Sequence, residues 1–177
     1  MGSKPLWSGR FSPRKVHIVR IDRRRWFQYF AILAAITAYA TIVLGGTVRG
    51  MGAGLACPDW PLCHGSVFPD FGRDGVAIEY AHRLVAALTS LFILLTFVLA
   101  FLWFRSQTRI VILSFMTLAL LGTQVVIGAL TITSALDWVV VTVHLALGTA
   151  TMASALIVAI LSLLPPDHRA LGSASPA

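Results

Sequence analysis

Charge is scarce in this sequence, and acid is scarcer. Only 12% of the 177 residues are charged while 57% are hydrophobic, a balance that excludes an ordinary soluble domain of this size. Glu79 is the only glutamate, and no aspartate falls inside the apolar runs. A carboxylate-bridged di-iron bundle needs a second Glu-x-x-His and further acids, so that chemistry is excluded too. Too little lies outside the apolar runs for a soluble catalytic domain, and any chemistry belongs in or at a bilayer.

What is plentiful is uncharged apolar sequence in four stretches, each long enough for the roughly 20 residues that cross a hydrocarbon core. Spans are expected over 26–48, 82–104, 110–133 and 139–164. The fold class is therefore an all-α integral membrane protein, a bundle of four transmembrane helices. Its membrane domain, 26–164, follows a basic segment, 1–25, precedes a tail, 165–177, and carries a large external loop over 49–78. The first run is too long for a signal-peptide core and lacks a cleavage site, so it counts as a span. Of the Lys and Arg residues, eleven fall in the leader, the turn at Arg105 and Arg109, or the tail, against three elsewhere: Arg49, Arg73 and Arg83. The positive-inside rule then places both termini on the cytoplasmic side of the cell membrane. The net charge of +7 reads as contact with anionic headgroups of the lipid bilayer, and no nucleic-acid partner is expected.

The two halves look like weak repeats. Thr41-Ile-Val-Leu-Gly45 in the first run compares with Gln124-Val-Val-Ile-Gly128 in the third, and each precedes a helix bearing a histidine near its outer end. A pseudo-twofold repeat of two helix pairs is expected, with the histidines facing each other. Small residues at Gly45, Gly46, Gly128 and Gly148 read as ordinary close packing between membrane helices.

Of the five histidines, only His82 and His144 lie within the spans, where an ionisable side chain is costly and points to function. His82 is 21 residues from Trp103, and His144 is 20 residues from Leu164. At about 1.5 Å per residue both sit roughly 30 Å from the inner boundary. Two neutral imidazoles at one depth on facing helices suit axial ligation of a haem iron; the plainer reading is that each bonds a neighbouring backbone group. Glu79 stands three residues before His82 on the same helix face. It could orient the imidazole, move protons or stabilise positive charge on a substrate, or simply complement the helix N-terminus. Arg49 and Arg83 suit haem propionates or lipid headgroups equally. Gln124 could bond across helices or approach the ring.

The external loop reads Cys57-Pro58-Asp59-Trp60-Pro61-Leu62-Cys63-His64. Two cysteines on an oxidising side, with no others in the chain, favour a disulfide between Cys57 and Cys63. A zinc or copper site using both with His64 lacks a fourth ligand.

These strings together resemble haem A synthase. The resemblance is carried by Gly45-Gly46-Thr47-Val48-Arg49, the loop from Gly52 to Cys63, Glu79-Tyr80-Ala81-His82-Arg83 and His144-x-x-x-Gly148, from about Gly45 to Gly148. It implies oxidation of a methyl group of haem O to the formyl group of haem A for terminal oxidases, with water supplying the oxygen. It further implies His82 and His144 as axial ligands, Glu79 as the essential carboxylate, and haem B as cofactor. Typical members have eight helices in two fused halves, one for each haem, whereas this chain supplies one half. A homo-oligomer is therefore expected, with haem O synthase and terminal oxidase assembly as the protein partners. Two rival functions remain at this point. One is a bis-histidine membrane cytochrome b that only passes electrons. The other is a quinone-linked disulfide oxidoreductase, which leaves the histidines unexplained.

Overall fold

A computed structural model describes residues 22–164; the basic leader up to residue 21, with His17, and the tail from Pro165, with His168, lie outside the described residues. Four helices follow in order: α1 (Arg23–Gly50), α2 (Val76–Trp103), α3 (Thr108–Thr133) and α4 (Trp138–Leu163). All four are long and apolar enough to cross a membrane, and no strand occurs among the described residues. Large apolar side chains such as Tyr39, Leu84, Val126 and Leu145 are exposed along all four helices, the surface expected of a multi-pass membrane bundle.

The helix starts follow from local chemistry. Asp22 accepts from the Arg25 N–H at 3.2 Å and so caps α1. Asp137 does the same for α4, accepting from the Val139 and Val140 N–H groups at 2.9 and 3.2 Å. Helix α2 begins at Gly75, whose φ of 77° suits glycine; a Cβ there would lie 2.8 Å from the Ala53 Cβ. This helix reaches six residues further back than the apolar run that ends it, because Glu79, His82 and Arg83 interrupt the hydropathy while their polar atoms find partners in the loop and neighbouring helix.

Helix α1 packs on both α2 and α4, α3 packs on α4, and the α2–α3 seam is the thinnest. At the end nearest the α2–α3 turn the core is alanine-rich, with Ala31, Ala35, Ala100, Ala155 and Ala159 around Phe27, whose ring lies 4.9 Å from that of Phe104. Small residues let the backbones approach, which is how helices associate where lipid removes the hydrophobic drive. Hydroxyls in this interior are mostly satisfied by their own helix; Thr96, Thr117 and Thr151 each donate to the carbonyl four residues back. Two hydroxyl pairs cross between helices, Thr41 with Thr89 at 3.0 Å and Thr117 with Ser154 at 2.7 Å.

Buried residues on the helices climb from the turn end to Ala38, Thr89, Leu121 and Thr151 and then stop, apart from Val48, Val76 and Glu79 beneath the long loop. At about 1.5 Å per residue that level is roughly 20 Å from the turn end on every helix. Above it the inward side chains are only half-buried, and both spanning histidines are among them.

Candidate functional site

His82 and His144 occupy the same register: each lies six residues past the first residue of its helix, Val76 and Trp138 respectively. Each ring is backed by a glycine of the preceding helix. A Cβ at Gly45 would lie 3.1 Å from His82 Cε1, and one at Gly128 would lie 3.0 Å from His144 Cε1. Both glycines are five residues before the last residue of their helices, Gly50 and Thr133. These glycines therefore seat imidazole rings, a more specific task than the plain helix packing expected for them. Gly148 makes room for a side chain as well, since a Cβ there would meet Gln124 Nε2 at 2.9 Å.

The two rings meet their partners through different nitrogens. His82 Nδ1 donates to the Thr41 carbonyl at 3.1 Å, which leaves Nε2 with its lone pair. On His144 it is Nε2 that accepts, over a long 3.5 Å, from Gln124 Nε2. The His144 Nδ1 and Gln124 Oε1 atoms are buried without a hydrogen-bond partner. Two imidazoles at equal register, above the level where the core ends and in slots that a methyl group would fill, are a donor set that fits an axially ligated haem once Gln124 yields the Nε2 of His144 to the iron.

Next to His82 the loop closes over the end of α2. Cys57 and Cys63 form a disulfide and are fully buried against Val76, with Ala56 and Tyr80 around them. Glu79, only 4% exposed, is held by that loop: Oε2 accepts from the Cys57 N–H at 2.8 Å and Oε1 from Arg83 Nη2 at 2.5 Å. Arg83 in turn binds the loop backbone. Its Nη1 donates to the Asp59 and Leu62 carbonyls, both at 2.6 Å, and its Nη2 donates to the Cys57 carbonyl at 2.7 Å. Further ties come from Tyr80, whose hydroxyl donates to the Val67 carbonyl, and from Asp59, which accepts from the His64 and Gly65 N–H groups at 2.6 and 2.7 Å. The Gly65 N–H above all, with that of His64, holds the Asp59 carboxyl below the usual carboxylate range. The His64 ring bonds the Ala56 carbonyl through Nε2 at 2.9 Å, so with the cysteines bonded to each other no zinc or copper set assembles in this loop.

The structure thus brings His82, Glu79, Arg83, Cys57 and Cys63 together at one helix end, with His144 and Gln124 on the facing pair. Arg49 lies exposed in the last turn of α1. Sequence reasoning missed Thr41 as the carbonyl partner of His82 and Asp59 as the organiser of the loop turn. The first was accessible, because Thr41 and Gln124 hold the same place in the two compared strings.

Compared with known proteins, the chain matches the family described as COX15-CtaA, cytochrome oxidase assembly protein, over residues 28–77 and 73–176. A protein named heme A synthase from Exiguobacterium sibiricum is 29% identical over 138 residues, which are 77% of this chain and 46% of that one. One of the same name from Bacillus pumilus is 31% identical over 140 residues, 73% of this chain and 44% of the relative. A stretch of a Halobacterium salinarum protein named protoheme IX farnesyltransferase is 40% identical over 137 residues, 76% of this chain but 29% of that protein. The chain spans less than half the length of these relatives.

Proposed function

Because the chain belongs to the COX15-CtaA family of cytochrome oxidase assembly proteins, we propose that it is a haem A synthase, an oxidoreductase that converts the methyl group of haem O to the formyl group of haem A. The observation that carries this reading is the register-matched pair His82 and His144, each seated in a glycine-backed slot. The porphyrin brings a redox-active iron beside the methyl group to be oxidised. His82 and His144 are the residues that would hold that iron. The Thr41 carbonyl fixes the ring of His82 and raises the basicity of its ligating nitrogen, as outer partners of metal-bound histidines do. Gln124, whose amide lies 3.5 Å from His144 Nε2, would turn aside to release that nitrogen to the iron.

Glu79 is the catalytic carboxylate of this reading. It lies one helical turn from His82, and each of its oxygens accepts one hydrogen bond and keeps a lone pair. It can therefore stabilise positive charge developing on the reacting carbon or take a proton from an attacking water. An electron carrier would have no use for such a group, which sets the proposal apart from a simple cytochrome b. Arg49, in the exposed last turn of α1, is the guanidinium assigned to a propionate.

The heme A synthases that this chain matches are about twice its length, and the family resemblance implies two halves, so a second copy of this chain is proposed to supply the second site, with haem B as its occupant. The Halobacterium relative suggests a further partner: the enzyme that farnesylates protohaem, and so makes haem O, would pass its product on within the membrane. The charge distribution supports a cytoplasmic position for both termini. The test is to supply haem O to the purified protein with an electron acceptor, then extract and chromatograph the pigment. Haem A, or an oxidised intermediate, is expected; bound haem O that never changes would leave only an electron carrier. Native mass and haem counted per protomer check the oligomer.

A further inference from the structure

Arg83 has the fewest options of any charged side chain near the site. Its two terminal nitrogens carry four N–H bonds, and all four are committed: to the carbonyls of Cys57, Asp59 and Leu62 and to Glu79 Oε1. Only the Nε–H is left over. A guanidinium so occupied has no fork to offer a propionate. The three carbonyls are spread across the disulfide-closed ring from Cys57 to Cys63, so one cation gathers the whole ring onto α2. The same guanidinium and the Cys57 N–H grip opposite oxygens of Glu79, so the ring and the carboxylate are fixed by a single set of contacts.

We propose that Arg83 is a positioning residue, acting through the Cys57–Cys63 loop to hold Glu79 in one orientation, and not a contact of haem. The charge argument agrees with the geometry. Arg83 is mostly buried, and a buried cation needs both a counter-charge and filled donors; Glu79 and the loop carbonyls supply them. Losing the cation would leave three carbonyls and a carboxylate oxygen facing one another, which favours opening of the loop. The role assigned to Glu79 rests on the haem A synthase reading, whereas the hold on the loop does not.

The disulfide reports on that hold, because both cysteines have no exposed surface and reductant reaches them only when the loop opens. Wild type, Arg83→Gln and Arg83→Lys are compared as haem-loaded protein in mild detergent, following disulfide reduction by alkylation and mass. Arg83→Gln should speed reduction about tenfold or more, as expected from losing several charge-assisted hydrogen bonds. Its Soret band and haem content should be unchanged. Arg83→Lys, keeping the charge but not the fork, should restore part of the slow rate. Turnover of haem O should fall in kcat with KM nearly constant. Should Arg83→Gln not accumulate, the wild type gives the same answer. Reduction of the disulfide must then expose Arg83 to an arginine-selective dicarbonyl reagent, with the exposed Arg73 reactive throughout as the reference. A reduction rate within twofold of wild type together with loss of haem would make Arg83 a propionate ligand and overturn the proposal. Unchanged turnover with faster reduction would also overturn it, by uncoupling the loop from Glu79. If no variant, wild type included, converts haem O, the enzymatic reading fails while the reduction rates still decide the hold on the loop.

Discussion

The two helix hairpins of this protein share a frame and differ in what closes it. In both, a glycine five residues from the end of the first helix seats a histidine six residues into the second. In α1–α2 the connection is the long loop 51–75, with a disulfide, and Glu79 and Arg83 are folded beneath it. In α3–α4 it is the four residues 134–137; no acid lies near His144 among the described residues, and the amide of Gln124 takes the place of a backbone carbonyl as ring partner. The glycine-seated histidine is thus present twice, while a buried acid close to it is present once. On the haem A synthase reading, binding and reaction are therefore separable by mutation.

The largest effect should come from the shared part. On the proposed reading His82→Ala or His144→Ala removes one iron ligand, and loss of the low-spin bis-histidine spectrum is expected from either one. Full retention of that spectrum in either variant would break the equivalence of the hairpins. Next is Glu79→Gln, which belongs to one hairpin only. Conversion of haem O should drop by about two to four orders of magnitude, the usual worth of a positioned acid or base, with the Soret band intact. Paired Cys57→Ser and Cys63→Ser substitutions should destabilise the loop by about 2 kcal/mol, the chain-entropy figure for so short a ring, read as a lower melting temperature. Gly45→Ala and Gly128→Ala should each cost about 1 kcal/mol, because a ring must yield to the new methyl group. Matching shifts of the haem spectrum would sharpen the comparison, and a shift in one variant alone would weaken it. The smallest effects belong to Thr89→Val and Ser154→Ala, which delete the hydroxyl pairs within each hairpin; about 0.6 kcal/mol apiece is expected.

Much of the frame could be read in advance, and the reason is physical. A bilayer demands long apolar helices, so four such runs announce four helices, and a histidine inside one is conspicuous. Matched depth was a matter of counting, because a helix advances evenly along its axis. Two things were less legible. The start of α2 was blurred, since Glu79, His82 and Arg83 lower the hydropathy in a helix whose polar atoms are satisfied by partners distant in sequence. The reach of Arg83 to the carbonyls of Cys57, Asp59 and Leu62 depends on the path of an irregular loop, and backbone acceptors leave no mark in residue identity. Gly45 and Gly128 fall between these cases: their small size was plain, but that each faces an imidazole becomes visible only once the hairpins are folded.

The hold of the disulfide loop on Glu79 bears on when the protein becomes competent. On the proposed topology, a ring that closes only by oxidation is completed after its segment has crossed the bilayer and met an oxidising compartment. Until then the carboxylate lacks its fixed neighbours, whatever the state of the four helices. Newly inserted chains would accordingly pass through a stage that carries pigment without converting it, and the cell's thiol-oxidising machinery would govern the interval between insertion and first turnover.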